Sequence, residues 1–204
     1  MAGMRIGVLG GTFDPIHVGH LILAEAARQE LSLARVLFVP AREPWRKIGR
    51  ELAPAHHRLG MVRLAIADNP CFSVSTVELE QPGPSYTADT LAALQEEMGP
   101  EGELFFILGQ DALADLPYWK DPQRIIAQAC LAVAQRSGWP LPSEAWLEEA
   151  VPGIAARLVP SPMPTIDISA SAIRRRCREG RSIRYLVPSA VEEYIQAHGL
   201  YTAA

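Results

Sequence analysis

The stretch Gly10-Gly11-Thr12-Phe13-Asp14-Pro15-Ile16-His17-Val18-Gly19-His20 follows a short apolar run at residues 5–9 and leads into helix-like residues 21–27. A buried strand, a glycine-containing turn and a helix amino terminus in that order make an anion site, because free backbone N–H groups and the helix dipole point at one spot. The two histidines, three residues apart, share one face of the first helical turn. Imidazole donates to a phosphate oxygen and carries a charge that responds to it. The loop lacks both the G-x-x-x-x-G-K-[ST] spacing of a P-loop and the G-x-G-x-x-G of a dinucleotide fingerprint. That points to nucleotide chemistry other than ATP hydrolysis or hydride transfer. From these residues alone a plain strand-to-helix turn and a metal site stay open beside the phosphate reading, although two histidines need further ligands to hold a metal.

Outward from this stretch, strand-like runs recur at residues 5–9, 36–39, 73–79, 104–108, 131–134 and 156–159, with helical segments between most of them. The alternation predicts an α/β fold: a doubly wound, Rossmann-like parallel sheet with helices on both faces and a small C-terminal helical cap. Pro54 is expected to open a helix running to about residue 67, and Gly99 to close the one that begins near Ala88. Asp121-Pro122 reads as an N-cap with proline at the first helical position, and Ser85 or Thr87 as a cap for the helix after Pro84. Ser169 reads as an N-cap with Gly180 as stop, and Ser189 with Glu192 as a capping box before Gly199. The proline-rich region 138–164 reads as a covering loop with one short helix around residues 144–150. The expected organisation is a single domain, 1–204, whose C-terminal helical part spans about 165–204.

The chain has 204 residues, 49% apolar and 21% charged, with a net charge of −4. This suits one α/β domain with a full core and gives no global basic field for nucleic acid. Cys71, Cys130 and Cys177 are an odd number without C-x-x-C spacing, which reads as reduced thiols in a cytoplasmic protein. The first apolar run has no signal-peptide layout and nothing approaches a membrane span. The expectation is a cytoplasmic protein with no nucleic-acid or membrane partner; self-association is left open.

Further chemistry-bearing residues follow predicted strands or open helices, where ligands bind in open α/β sheets. Pro40-Ala41-Arg42-Glu43-Pro44-Trp45-Arg46-Lys47 combines cations with an aromatic in an overhanging loop; a solvated basic loop is the plain alternative. Gly109-Gln110-Asp111 offers close backbone approach and a carboxylate that accepts from ribose hydroxyls. Trp119 fits either a core position or a platform for a cationic ring. Ile168-Ser169-Ala170-Ser171-Ala172-Ile173-Arg174 opens the one strongly basic stretch, which includes Arg175, Arg176, Arg178, Arg181 and Arg184. A solvated face accounts for most of these arginines, with nucleic-acid binding as the alternative.

Gly-Gly-Thr-Phe-Asp-Pro-x-His-x-Gly-His resembles the signature of the His-x-Gly-His nucleotidyltransferase superfamily. The ordered set of motifs, from residue 5 to residue 201, is similar to bacterial nicotinate-nucleotide adenylyltransferases. The resemblance implies transfer of AMP from ATP to nicotinate mononucleotide, giving deamido-NAD and pyrophosphate in NAD biosynthesis, with Mg²⁺ carried by ATP and no metal site built by the protein. It implies catalytic roles for His17, His20, Lys47 and Arg174, and ATP contacts from Gly10, Gly11, Thr12, Phe13, His17, His20, Gly109, Asp111, Ser169, Ser171 and Arg174. It implies nicotinate mononucleotide contacts from Lys47, Tyr86, Thr87 and Trp119. Trp45 and Arg46 stand where the family often shows proline and histidine; Ala170 and Ser171 replace Ser and Thr of Ile-Ser-Ser-Thr-x-x-Arg. The alternatives are an enzyme accepting nicotinamide mononucleotide or both acceptors and, in a different class, a non-catalytic nucleotide-sensing module on the same fold.

Overall fold

In the computed structural model, residues 3–44, 51–134, 142–161 and 166–202 are described. The opening stretch becomes β1 (Met4–Gly11), a loop and α1 (Val18–Glu30). There follow β2 (Arg35–Pro40), α2 (Ala55–Ala65), β3 (Phe72–Val74), α3 (Val77–Glu80), α4 (Thr87–Met98) and β4 (Gly102–Gly109). The chain continues through α5 (Gln110–Asp115), α6 (Pro122–Gln128), β5 (Ala129–Ala134), α7 (Glu144–Ala150), β6 (Leu158–Ser161), α8 (Ala170–Arg178) and α9 (Ser189–Ala197). The strands form one sheet in the order β3-β2-β1-β4-β5-β6, every pair parallel. This is the doubly wound, Rossmann-like α/β fold, and the order reverses between β1 and β4, where a crevice opens at the carboxyl ends.

The pleat explains how apolar strands serve two cores. Successive side chains alternate faces, so Leu9, Val36, Phe38, Phe105 and Ile107 pack on one side under Ala24 and Ala27 of α1, Met61 and Val62 of α2, Ile173 of α8, and Val191 and Ile195 of α9. Ile6, Val8, Leu37, Val39, Leu104, Phe106 and Leu108 pack on the other under Ala88, Leu91 and Leu94 of α4, Leu113 of α5, Ile125 of α6 and Leu147 of α7. A sheet covered on both faces needs continuous apolar strands rather than alternating ones.

Local hydrogen bonding corrects several expectations. The strand expected at 73–79 ends at Val74, because the Ser75 hydroxyl accepts the Val77 N–H at 3.4 Å and the Thr76 hydroxyl donates to Glu80 at 2.5 Å, turning the chain into α3. The strand expected at 156–159 starts at Leu158, after a 3₁₀ turn at Ala155–Arg157. The Glu148 carboxylate holds that turn by accepting the N–H groups of Gly153 and Ala155 at 2.6 and 3.1 Å. Asp121 precedes α6 in left-handed backbone, φ +50°, without a side-chain cap. Pro188 takes the cap position of α9, so Ser189 is already helical and no capping box forms; Glu192 lies 3.8 Å from Arg184 instead. Tyr86 takes the cap position of α4, and the Ser85 hydroxyl accepts the Arg42 N–H at 3.0 Å. Ser169 does cap α8, accepting the Ala172 N–H at 3.2 Å.

The second helix meets the last one through a histidine-rich contact. His57 Nδ1 lies 3.1 Å from the Tyr194 hydroxyl, Tyr194 stacks on His198 with centroids 4.0 Å apart, and the His56 and His198 rings are 4.1 and 5.1 Å from His57. Burial, reinforced by His56 and His198, holds the His57 imidazole below its ordinary value of 6.5. The unfolded chain therefore binds this proton more readily than the folded one, and the folded state loses stability as pH falls through about 6.5. We expect Tm to fall between pH 7.5 and 5.5, and His57→Gln to flatten that dependence. A wild-type Tm that is constant or rises on acidification contradicts this assignment.

Candidate functional site

A cleft of about 360 Å³ opens at the sheet's reversal point. From the β1–α1 region it receives His17, Gly19 and His20, and from the end of β4 Gly109 and Asp111. Ser169, Ser171 and Arg174 come from the start of α8. Leu23, Ala134, Ile166, Ile168 and Ala170 complete its walls. Three segments far apart in sequence thus meet in one cleft.

The histidines are held in a defined pose. His17 is the N-cap of α1 and only 6% exposed. Its ring stacks on that of His20 with centroids 3.7 Å apart and an interplanar angle of 21°. Gly19 makes room for this: a Cβ there would sit 3.1 Å from His17 Nδ1, so a larger residue would press on the ring. The His17 N–H donates to His20 Nδ1 at 3.2 Å. An accepting Nδ1 carries no hydrogen, so the neutral His20 ring has its donor on Nε2. Phe13 meets His20 edge-on at 5.1 Å.

Other expected ATP-binding residues sit differently. Phe13 is 2% exposed and belongs to the core, so its side chain braces His20 rather than walling the cleft. Gly10 and Gly11 are paired with Val39 and Pro40 inside the sheet, and the Thr12 carbonyl accepts from Arg58 at 2.8 Å; none of the three lines the cleft. At Gly109 a Cβ would lie 2.5 Å from Asp111 Oδ1, so glycine is what lets that carboxylate fold back over the strand end.

Beneath the cleft lies a buried charge network. Asp14 is 2% exposed; its Oδ1 accepts from the Tyr201 hydroxyl at 2.7 Å and from the Ala53 N–H at 3.2 Å. Arg174 Nη1 donates to the Asp14 carbonyl at 2.7 Å and lies 3.6 Å from Asp14 Oδ2, while Nη2 reaches Ser171 Oγ at 3.4 Å. Arg58, also 2% exposed, donates to the carbonyls of Thr12, Ala53 and Arg42 at 2.8, 3.0 and 3.0 Å. Burial pulls the Arg58 guanidinium below its ordinary value, opposed chiefly by the charge of Asp14. Burial, reinforced by Asp14, pushes the Tyr201 hydroxyl well up, so it stays a donor. Neither Arg58 nor Tyr201 was singled out from sequence. Arg58 had a readable signal: with Met61, Val62 and Ala65 it occupies the buried stripe of α2 at i, i+3, i+4 and i+7, where a cation demands partners.

Tyr86 and Thr87 stand at the start of α4, and Trp119 precedes the lysine that lies over the Tyr86 ring; none of the three lines the histidine cleft. Lys120 Nζ lies 4.4 Å over the Tyr86 ring and 2.9 Å from Asp89, which also pairs with Arg124 at 2.7 Å. Both cations hold the Asp89 carboxyl below its usual range, the Lys120 hydrogen bond most of all. Thr87 and Ala88 contribute the first N–H groups of α4, which the helix's own ladder does not use. Trp119 is half-buried, edge-on to Phe106 at 6.1 Å. Lys47, Trp45 and Arg46 lie outside the described residues; the segment leading to them bridges to Ser85 through Pro44. Among the described residues no group of three or more His, Cys, Asp or Glu is arranged to hold a metal ion, and no helix is long and apolar enough to cross a membrane.

Residues 8–176 match the family model described as cytidylyltransferase-like. Proteins named "Probable nicotinate-nucleotide adenylyltransferase" are similar over nearly the whole chain. The one from Thermomicrobium roseum is 51% identical over 97% of this chain and 91% of its own. The one from Thermus thermophilus is 49% identical over 97% and 100%. Among solved structures, a Plasmodium falciparum nicotinic acid mononucleotide adenylyltransferase complexed with NaAD superposes with a TM-score of 0.76 at 20% identity over 97% of each chain, a likeness of fold. The sequence matches place it: the chain belongs to the cytidylyltransferase-like family and, within it, to the nicotinate-nucleotide adenylyltransferases.

Proposed function

We propose that this protein transfers AMP from ATP to nicotinate mononucleotide, forming deamido-NAD and releasing pyrophosphate, and that it works in the cytoplasm as one domain, with residues 165–204 supplying the phosphate-binding start of α8. The observation that carries this reading is the meeting of His17, His20, Ser171 and Arg174 in one cleft at the sheet's reversal point, in a chain of this family.

The acceptor phosphate, largely dianionic at neutral pH, attacks the α-phosphorus of ATP through one of its oxygens. A new P–O–P linkage forms and the bond from the α-phosphorus to the bridging oxygen of pyrophosphate breaks. The nucleophile needs no general base, so the protein's contribution is alignment and neutralisation of the leaving charge. His20, with its donor on Nε2, and Arg174, with its Nη2 edge beside Ser171, are suited to the polyphosphate. Ser169 and Ser171 add hydroxyl donors at the amino terminus of α8, where the helix dipole favours anions. The family motif also assigns residues 10–13 to ATP, and Gly10 and Gly11 stand at the carboxyl end of β1 beside the cleft rather than on its walls; Asp111 would accept from a ribose hydroxyl. ATP enters as its Mg²⁺ complex; Asp111 is one hard oxygen donor at the cleft edge. Lys47 is assigned to the phosphates by the family motif, and the acceptor ring to Tyr86, Thr87 and Trp119.

His17→Ala or His20→Ala should mainly lower kcat, by roughly a hundredfold or more, since each stabilises charge that develops in the transition state. Near-normal turnover in either variant removes that histidine from the catalytic set. Arg174→Ala should impair ATP use far more than Arg176→Ala, because Arg176 turns away to the Ser182 carbonyl at 2.7 Å. Equal effects would reduce Arg174 to a surface residue.

For the acceptor, the N–H groups opening α4 only donate, and the dipole there favours negative charge. A carboxamide would oppose its own NH₂ to one of them, at a cost of about ten- to a hundredfold in kcat/KM. Pyrophosphate release should therefore be faster with nicotinate than with nicotinamide mononucleotide, and Trp119→Ala should weaken both without changing their ratio. Equal or reversed preference identifies a nicotinamide-accepting or dual-specificity enzyme.

A further inference from the structure

Tyr201 reaches back from beyond α9 to the loop that begins the active site. It stands in left-handed backbone, φ +62°, and its hydroxyl donates to Asp14 Oδ1 at 2.7 Å. The same oxygen accepts the Ala53 N–H at 3.2 Å. The other oxygen is 3.6 Å from Arg174 Nη1, beyond hydrogen-bonding distance, and that nitrogen donates to the Asp14 carbonyl at 2.7 Å instead. A buried carboxylate and a guanidinium this close would ordinarily close into a bidentate pair with two parallel N–H···O bonds. Here the carboxylate is turned so that one oxygen serves Tyr201 and Ala53. Arg174 keeps its Nη2 edge beside Ser171, 3.4 Å away, and both residues line the cleft.

We propose that Tyr201 is a positioning residue for the polyphosphate: by holding Asp14 Oδ1 it keeps that carboxylate from closing on Arg174, so that the Nη2 edge stays presented to ATP. This rests on the reading that Arg174 binds ATP phosphates. The C-terminal tail then acts on catalysis through two other side chains, without touching substrate. Removing the hydroxyl leaves Asp14 Oδ1 with the Ala53 N–H alone. The carboxylate can then turn onto Arg174 and withdraw it from the cleft.

The test is a double-mutant cycle on the full chain, comparing wild type, Tyr201→Phe, Arg174→Ala and the double variant. Steady-state KM is measured for each substrate, Kd for a non-hydrolysable ATP analogue, and Tm as a check on folding. Tyr201→Phe should raise KM and Kd for the adenine nucleotide by about tenfold, on the scale of one redirected charged hydrogen bond, with acceptor KM within about twofold of wild type. The double variant should bind ATP no worse than Arg174→Ala, because the two act in series. Additive losses, equal rises for both substrates, or an unchanged ATP KM in Tyr201→Phe would overturn the proposal. If Arg174→Ala leaves ATP binding intact, the reading of Arg174 fails first; if only Tyr201→Phe is silent, Tyr201 alone loses its role. A chain ending at Leu200 provides a second route to the same comparison. Should neither variant fold, Tyr201 is a structural residue and the proposal falls.

Discussion

Asp14 is a carboxylate shut away from water at the turn between β1 and α1, with Arg58 and Arg174 close by and a phenol donating to it. A buried charge that loses its partner costs about 3–5 kcal/mol, so these groups constrain one another strongly. Arg58 spends its guanidinium on three backbone carbonyls, Thr12, Ala53 and Arg42, which ties the end of β1, the entry to α2 and the exit of β2 to a single side chain. Asp14 adds Ala53 again, Tyr201 and Arg174. Four separate stretches of chain are therefore registered around one loop before any substrate arrives.

That registration sets the position of the cleft above it. The histidines take their pose from the helix start and from Phe13, whose buried ring is fixed by the same loop. Arg174 is carried to the cleft by α8 but is oriented by Asp14. Preorganisation of this kind suits phosphoryl chemistry in which the acceptor already carries the nucleophilic charge and the protein mainly has to place donors where negative charge accumulates. The crevice itself follows from topology: strand order reverses between β1 and β4, and the loops leaving them part there.

The fold was legible because the strands are apolar on both faces and the breakers are well placed. Gly99, Gly180 and Gly199 all follow helices in left-handed backbone, at φ +75°, +64° and +57°. Strand ends and caps were less legible where short polar side chains chose among several local partners. Ser75 and Thr76 turned the later part of a predicted strand into a helix, and Pro188 displaced Ser189 from its expected cap. The cleft was legible where chemistry sits in local motifs, as with His17, His20, Asp111 and Arg174. Phe13 could not be separated from its neighbours by sequence, since whether an aromatic in a loop faces ligand or core depends on what covers it. Tyr201 carried no local signal at all, because its partner is 187 residues away.

The most direct measurement is a crystal structure with a non-hydrolysable ATP analogue bound. The account predicts the polyphosphate between His20 Nε2, Ser171 and the Nη2 edge of Arg174, with Arg174 still donating to the Asp14 carbonyl and Tyr201 still on Asp14 Oδ1. A polyphosphate bound away from α8, or an Arg174 that leaves Asp14 altogether to reach it, would contradict the claim that the buried network sets the site in advance.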